Sequence, residues 1–179
     1  MKRKVRIFST LVSLCLVAVL MCVGIYAATT ASVTGQGGYF IYNGIDAVAA
    51  TVKVSGDLGM YDGAAVPAKT VKLDETAGQT GSVEFGTWEF ANLTDSVVFY
   101  VEVTNDFQAL DIKSTLAATV AGDDFTVTIT GGTDGVGTIT PGQFLVYTVI
   151  INCTATDKYQ TVQDTLSFSL TLERVEAAG

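Results

Sequence analysis

Three aspartates in turn-forming segments are the residues of this chain that could bind a metal ion. Asp123 and Asp124 follow Gly122, and Asp134 lies in the next glycine-rich segment. Carboxylate oxygens are the ligands that calcium prefers, although this spacing is not that of an EF-hand loop. Acidic turns are also common as solvated connections. We therefore treat Asp123, Asp124 and Asp134 as calcium candidates, and otherwise we expect no cofactor.

Catalytic chemistry is limited by the composition, because the sequence contains no histidine. Histidine is the commonest general base and a common zinc ligand. Ser-His-Asp catalysis, Cys-His catalysis and an HExxH zinc site are therefore excluded. Glu84, Glu89 and Glu102 are carboxylates, but nothing in the sequence fixes the separation that glycoside hydrolysis needs. We predict that the protein is not an enzyme.

Aromatic residues are a second kind of candidate, because exposed rings could form a platform for carbohydrate. Trp88, the only tryptophan, lies in an aromatic segment with Phe85 and Phe90. A buried position for Trp88 is the alternative, since large aromatic side chains dominate protein cores. The residues considered for the platform are Tyr39, Phe40, Tyr42, Trp88, Phe90 and Tyr100.

The N-terminal segment has the organisation of an export signal. Four basic residues precede an apolar run over residues 7–25, and Ala27 and Ala28 flank a cleavage point. This order predicts a signal peptide over residues 1–27, or an uncleaved anchor of nearly membrane-spanning length. We expect a hydrophobic helix here, a secreted or cell-surface location, and contact with the membrane only through this segment. The four basic residues are Lys2, Arg3, Lys4 and Arg6.

Cleavage would change the charge and the cysteine content of the chain. It would leave 6 Lys and Arg against 18 Asp and Glu, a net charge of about −12. Such a surface repels phosphate backbones, so we expect no nucleic-acid partner. Cys153 would remain as the single cysteine, which excludes an intramolecular disulfide. It would either be buried or form an intermolecular disulfide.

Alternation of apolar and polar residues predicts an all-β domain over residues 39–179. The alternation is complete over residues 166–173 and recurs over residues 48–54, 97–103 and 125–130. Residues 144–155 are apolar on both faces, which indicates a strand covered on both sides or packed at an interface. Glycine- and aspartate-rich breaks separate these segments. Eight or nine such strands predict a single antiparallel β-sandwich of the immunoglobulin-like or jelly-roll type.

Two segments carry a resemblance to a known family. Pro141-Gly142 between Thr140 and Gln143 predicts a type II turn, and a long apolar strand follows it. With the strand over residues 97–105 and the export signal, this resembles secreted bacterial sandwich proteins with a SipW-dependent-type signal peptide, such as TasA and camelysin. The resemblance implies a structural role in a matrix or filament. The protease activity ascribed to camelysin is not expected, because no histidine is present to bind zinc.

Residues 28–38 form a predicted N-terminal arm and hinge. The arm is strand-prone and precedes a glycine-rich hinge, so it could pair with an open sheet edge on another copy of the chain. The alternative is that it is the first strand of its own domain. We therefore expect a structural protein of the cell surface or matrix that associates with itself or with surface components; a module that binds glycan or protein is the alternative. The arm residues are Thr29, Thr30, Ala31, Ser32, Val33 and Thr34.

Overall fold

The computed structural model describes residues 31–34, 41–44, 46–91, 94–154 and 163–175. These residues form fourteen strands and no helix, so the all-β prediction is confirmed. The predicted signal helix lies outside the described residues. The strands are β1 Ala31–Thr34, β2 Ile41–Gly44, β3 Ala50–Gly56, β4 Met60–Tyr61, β5 Ala64–Ala65, β6 Lys69–Leu73, β7 Thr87–Phe90, β8 Ser96–Asn105, β9 Asp111–Val120, β10 Phe125–Thr130, β11 Val136–Ile139, β12 Phe144–Cys153, β13 Gln163–Asp164 and β14 Leu166–Val175.

The strands form three sheets. Sheet I has the order β10-β12-β8-β3-β6, sheet II the order β11-β9-β14-β2, and sheet III the order β13-β1-β7-β4-β5. All pairings of the long strands are antiparallel. Two short strands near the N-terminus pair in parallel instead, β1 with β13 and β2 with β14. The first strands of the domain therefore lie beside its last ones.

The period-two segments of the sequence lie in strands, except that residues 48 and 49 precede the start of β3 at Ala50. Residues 166–173 lie in β14 and residues 125–130 form β10, and in β14 exposed or half-buried residues alternate with buried ones as far as Leu172. Alternation is a local property of a strand with one buried face, which is why the sequence alone identifies it.

Sheets I and II face each other across the core. The ring centroids of Phe99 in β8 and Phe168 in β14 lie 5.0 Å apart at an interplanar angle of 75°. Tyr147 in β12 is fully buried, and its hydroxyl donates to the backbone carbonyl of Ser114 in β9, 3.0 Å away. The same hydroxyl lies 3.0 Å from Oγ of Ser114. Aromatic packing and this buried polar contact therefore both join the two sheets.

One end of the core is organised around Asn105, the last residue of β8. Its side chain is completely buried; it donates to the carbonyls of Leu110 and Ile139 and accepts from the backbone N–H of Phe107. The neighbouring turn has Gly142 at φ 72° and a hydrogen bond from Gln143 N to the Thr140 carbonyl, as the predicted type II turn requires. The N–H of Gly142 donates to the Asn105 carbonyl, 3.0 Å away. The two segments that carry the family resemblance thus meet at this corner.

Candidate functional site

The described part of the predicted arm, β1, lies inside sheet III of its own chain. All four residues of β1 pair antiparallel with β7, from Ala31 opposite Phe90 to Thr34 opposite Thr87. On its other side β1 pairs in parallel with β13, where Ser32 is opposite Gln163. In the structure β1 is therefore the domain's own first strand, and it fills an interior position between two others. Thr29, Thr30 and the cleavage residues Ala27 and Ala28 lie outside the described residues.

Strand β7, which pairs with the arm, is anchored in the core by two aromatic residues. Trp88 is 2% exposed, and its indole N–H donates to the carbonyl of Asp57, 3.1 Å away. Its ring stacks on Phe99 of sheet I at 6.2 Å, and Phe90 packs against Phe125 of sheet I at 5.4 Å. Strand β7, which pairs with β1, therefore packs directly into the core of the molecule.

A hairpin supports the other side of β7, and sequence reasoning missed it. Strands β4 and β5 are joined by Asp62-Gly63, and both residues have positive φ, 47° and 78°. That is the geometry of a type I′ turn, and an Asp-Gly pair is its usual sequence signal. Gly86, which precedes β7, lies so close to Met60 that a Cβ there would overlap the Met60 backbone. The hairpin leaves Met60 and Tyr61 exposed.

The structure separates the residues that were considered for a carbohydrate platform. Trp88 and Phe90 are buried, so the alternative of a core position is confirmed for Trp88. Tyr100 is 43% exposed, and Phe144, which the sequence analysis had not placed on the platform, is 63% exposed. Tyr39, Phe40 and the side chain of Tyr42 lie outside the described residues. Of the considered residues that the structure describes, only Tyr100 is therefore exposed, and Phe144 is a further exposed ring.

The calcium candidates do not share one site. Asp123 and Asp124 lie in the turn before β10, whereas Asp134 lies beyond the other end of that strand. Asp134 has φ 52° and forms, with Gly135, a type I′ turn closed by the hydrogen bond from Val136 N to the Thr133 carbonyl. Within the described part of the chain, no group of three or more His, Cys, Asp or Glu side chains is arranged to hold a metal ion.

Asp164 is a carboxylate that the sequence analysis did not select. Its oxygens accept from the backbone N–H groups of Ala121, at 3.0 Å, and of Gly122, at 2.7 Å. It therefore closes the turn between β9 and β10 from the short strand β13. Its partners are backbone amides, which makes it a structural carboxylate of this turn.

The chain matches no known family model, and no curated protein matches it significantly. Two features of the molecule's geometry point to a function: the interior position of β1 in sheet III, and the outward face of sheet I with its exposed rings.

Two further expectations concern the cysteine and the membrane. Cys153 is 8% exposed and is a free thiol, so the predicted buried position is confirmed. Of the residues that the structure describes, none belongs to a helix that could span a membrane. The apolar segment 7–25 is not among them.

Proposed function

We propose that the protein is a non-enzymatic structural protein of the cell surface or extracellular matrix, which assembles by exchanging β1 between copies. The observation that carries this proposal is that β1, a strand of four residues, pairs with both β7 and β13. Withdrawal of β1 would leave two unpaired strand edges, and such edges are templates for another strand. The best-fitting strand available is the same segment of the next copy.

Loss of β1 from its position in sheet III would be energetically unfavourable, because the neighbouring strand β7 packs into the core. Trp88 and Phe90 of β7 are both at most 2% exposed, so loss of the neighbouring strand would expose part of the aromatic core to water. Exchange between copies preserves all these contacts, because the incoming strand has the same sequence and register. When each copy gives its strand to the next, the contact is heterologous and builds an open filament.

Further parts of this proposal follow from the sequence. Segment 1–27 is an export signal or anchor, and residues 35–38, Gly-Gln-Gly-Gly, are the hinge that exchange requires. The sandwich is of the immunoglobulin-like or jelly-roll type, and the facing of sheets I and II supports this. The family resemblance to TasA and camelysin points to the same role.

Cysteine cross-linking across the β1–β7 register tests the exchange. Ser32 is opposite Glu89 in that register. Two preparations of the chain from residue 28 onward, both with Cys153→Ala, would carry Ser32→Cys or Glu89→Cys. After the two are unfolded together and refolded, exchange predicts a disulfide-linked mixed dimer under mild oxidation. A Ser32→Cys preparation refolded with Thr130→Cys is the matched control, because Thr130 is exposed in β10 of sheet I.

Microscopy and proline substitution complete the test. Val33→Pro removes a backbone donor from β1 and is expected to abolish filaments in negative stain, whereas Val33→Thr keeps the donor and preserves them. A chain that stays monomeric at millimolar concentration and gives no mixed Ser32→Cys/Glu89→Cys dimer would contradict assembly by strand exchange.

A further inference from the structure

The outward face of sheet I carries two exposed aromatic rings. In β8 and β12 alternate residues point away from the core, and Tyr100 and Phe144 belong to this outward set. Their exposed fractions are 43% and 63%, large values for side chains whose burial would be favourable. Half-buried Val98, Val146 and Ile150 lie on the same face. The sequence predicted that residues 144–155 are covered on both sides or packed at an interface, and the outward residues of β12 belong to this surface.

Each ring lies directly opposite a threonine. Phe144 in β12 is the register partner of Thr104 in β8, and Tyr100 in β8 is the partner of Thr148 in β12. The two ring-and-hydroxyl pairs are related by the local twofold symmetry of an antiparallel strand pair. Four residues of extended chain separate them, a distance of about 14 Å. The same chemical unit therefore occurs twice along one face of the sheet.

This face is nearly free of carboxylates, although the chain is strongly acidic. Of the 18 Asp and Glu residues, Glu102 is the only one on the outward positions of the five described strands of sheet I. Lys53 of β3 is its register partner. The remainder of the acidic surface repels polyanions. This face instead presents rings and hydroxyls with few charges: Lys72 of β6 lies outward beside Lys53 and Glu102. At its edge the Asp106 carboxylate accepts from the hydroxyl of Thr51.

We propose that the outward face of sheet I binds a neutral polysaccharide, with Tyr100 and Phe144 as its stacking platforms. The apolar C–H face of a sugar ring packs against the negative face of an aromatic ring, and the adjacent threonine hydroxyls donate to and accept from sugar hydroxyls. Because the two platforms are about 14 Å apart, one monosaccharide cannot reach both. The ligand is therefore an oligosaccharide or polymer with repeating units, which matches the repeated ring-and-hydroxyl pair.

A protein partner is the less favoured occupant of this face. Strong protein interfaces place aromatic anchors in fully desolvated pockets, whereas both rings here are exposed on a sheet face with threonines opposite them. The surface is separate from β1 and β7, so binding of polysaccharide does not depend on the proposed strand exchange.

Retention on insoluble neutral polysaccharides, cellulose, chitin and a β-1,3-glucan, tests the proposal with the purified protein. We expect retention on at least one of them, and about tenfold weaker binding for Phe144→Ala and for Tyr100→Ala. Tyr61→Ala is the matched control, since Tyr61 is 71% exposed on the hairpin of sheet III and its loss is expected to leave binding unchanged. Thermal unfolding of each variant checks that the fold is retained.

Several outcomes would overturn the proposal. These are absence of retention on all three polymers, retention on anionic polymers only, and equal loss of binding in Tyr61→Ala. Sedimentation measurements on the same variants test whether this face instead binds another copy of the chain. If Phe144→Ala and Tyr100→Ala change the oligomeric state and no neutral polymer is bound, the face is an interface between copies and the polysaccharide proposal is wrong.

Discussion

The hydroxyl of Tyr147 and the backbone carbonyl of Ser114 form a buried hydrogen bond of 3.0 Å that joins sheets I and II. Both residues are fully buried, so neither polar group has water as an alternative partner. Burial raises the pKa of Tyr147 above its usual value of 10.0, and the hydrogen bond with Ser114 offsets part of that increase. This contact therefore makes the stability of the two facing sheets depend on pH in the alkaline range.

We expect Tyr147→Phe to lower the free energy of unfolding by about 1–2 kcal/mol near neutral pH. The folded state holds the Tyr147 proton more tightly than the unfolded chain, so the associated stability is fully present below pH 10 and is lost as pH rises through the raised pKa. Urea unfolding at a series of pH values from 8 upward measures this. The wild type and Tyr147→Phe should converge in stability at high pH, and a constant difference would contradict the assignment.

Asn105 is expected to be among the most sensitive polar positions. Asn105→Ala would leave the carbonyls of Leu110 and Ile139 and the N–H of Phe107 without their present partners. Each unsatisfied buried group costs about 1–3 kcal/mol, so we expect the variant to lose about 3 kcal/mol or more. Chemical denaturation provides the measurement. Asn152→Ala, on the half-buried outward face of β12, is the control and should change stability by much less.

Two glycines form a matched pair for a test of the hairpin turns. Gly63 and Gly135 each follow an aspartate and each have φ 78°. A Cβ on Gly63 would meet nothing within 4 Å, whereas one on Gly135 would lie 2.5 Å from the carbonyl oxygen of Leu116. We expect Gly63→Ala to cost about 1 kcal/mol and Gly135→Ala about 3 kcal/mol. Melting temperatures of equal value for the two variants would contradict the close approach at Gly135.

Cys153 is expected to be unreactive in the native protein. Its side chain is 8% exposed at the end of β12, opposite Phe125. Reaction with a thiol reagent requires exposure of the sulfur, so the chain from residue 28 onward should be labelled only after denaturation. Labelling in guanidinium chloride is the positive control. Rapid modification of the folded chain would show that this part of β12 opens readily.

The single tryptophan offers a direct measure of core integrity. Trp88 is stacked on Phe99 and hydrogen-bonded to Asp57, and the chain has no other tryptophan. We expect a blue-shifted fluorescence emission that moves to longer wavelength on unfolding, and about 3–5 kcal/mol of destabilisation for Trp88→Ala. Loss of a function in Trp88→Ala would therefore reflect loss of the fold. An emission maximum typical of free tryptophan in the native protein would contradict the burial.

The sequence predicted the long strands well and the short ones poorly. The segment over residues 166–173 was recognised because its alternation is complete, and a half-buried strand of this length leaves a clear period of two. Strands β4 and β5 have two residues each, too few for any period. Only the turn residues Asp62 and Gly63 between them could have indicated the hairpin.

The candidate surfaces also combine features that the sequence predicted with features that only the structure revealed. Tyr100 and Trp88 were both considered for the platform because they are aromatic, with a buried position as the alternative for Trp88. The structure buries Trp88 and leaves Tyr100 43% exposed. Phe144 lies in a segment that is apolar on both faces, so its type alone does not tell which face it occupies. The pairing of Phe144 with Thr104 depends on the register of β12 against β8, and register is set by contacts between distant segments.

The sequence by itself determined the all-β class, the strand segments with one buried face, the type II turn at Pro141-Gly142 and the absence of histidine chemistry. These properties depend on local periodicity, on the φ preferences of proline and glycine, and on composition. Only the tertiary structure decided that β1 lies between β7 and β13, that Trp88 is buried, and that Tyr100 and Phe144 share one exposed face. Each of these joins residues far apart in the chain, and such contacts are fixed by the packing of the whole core.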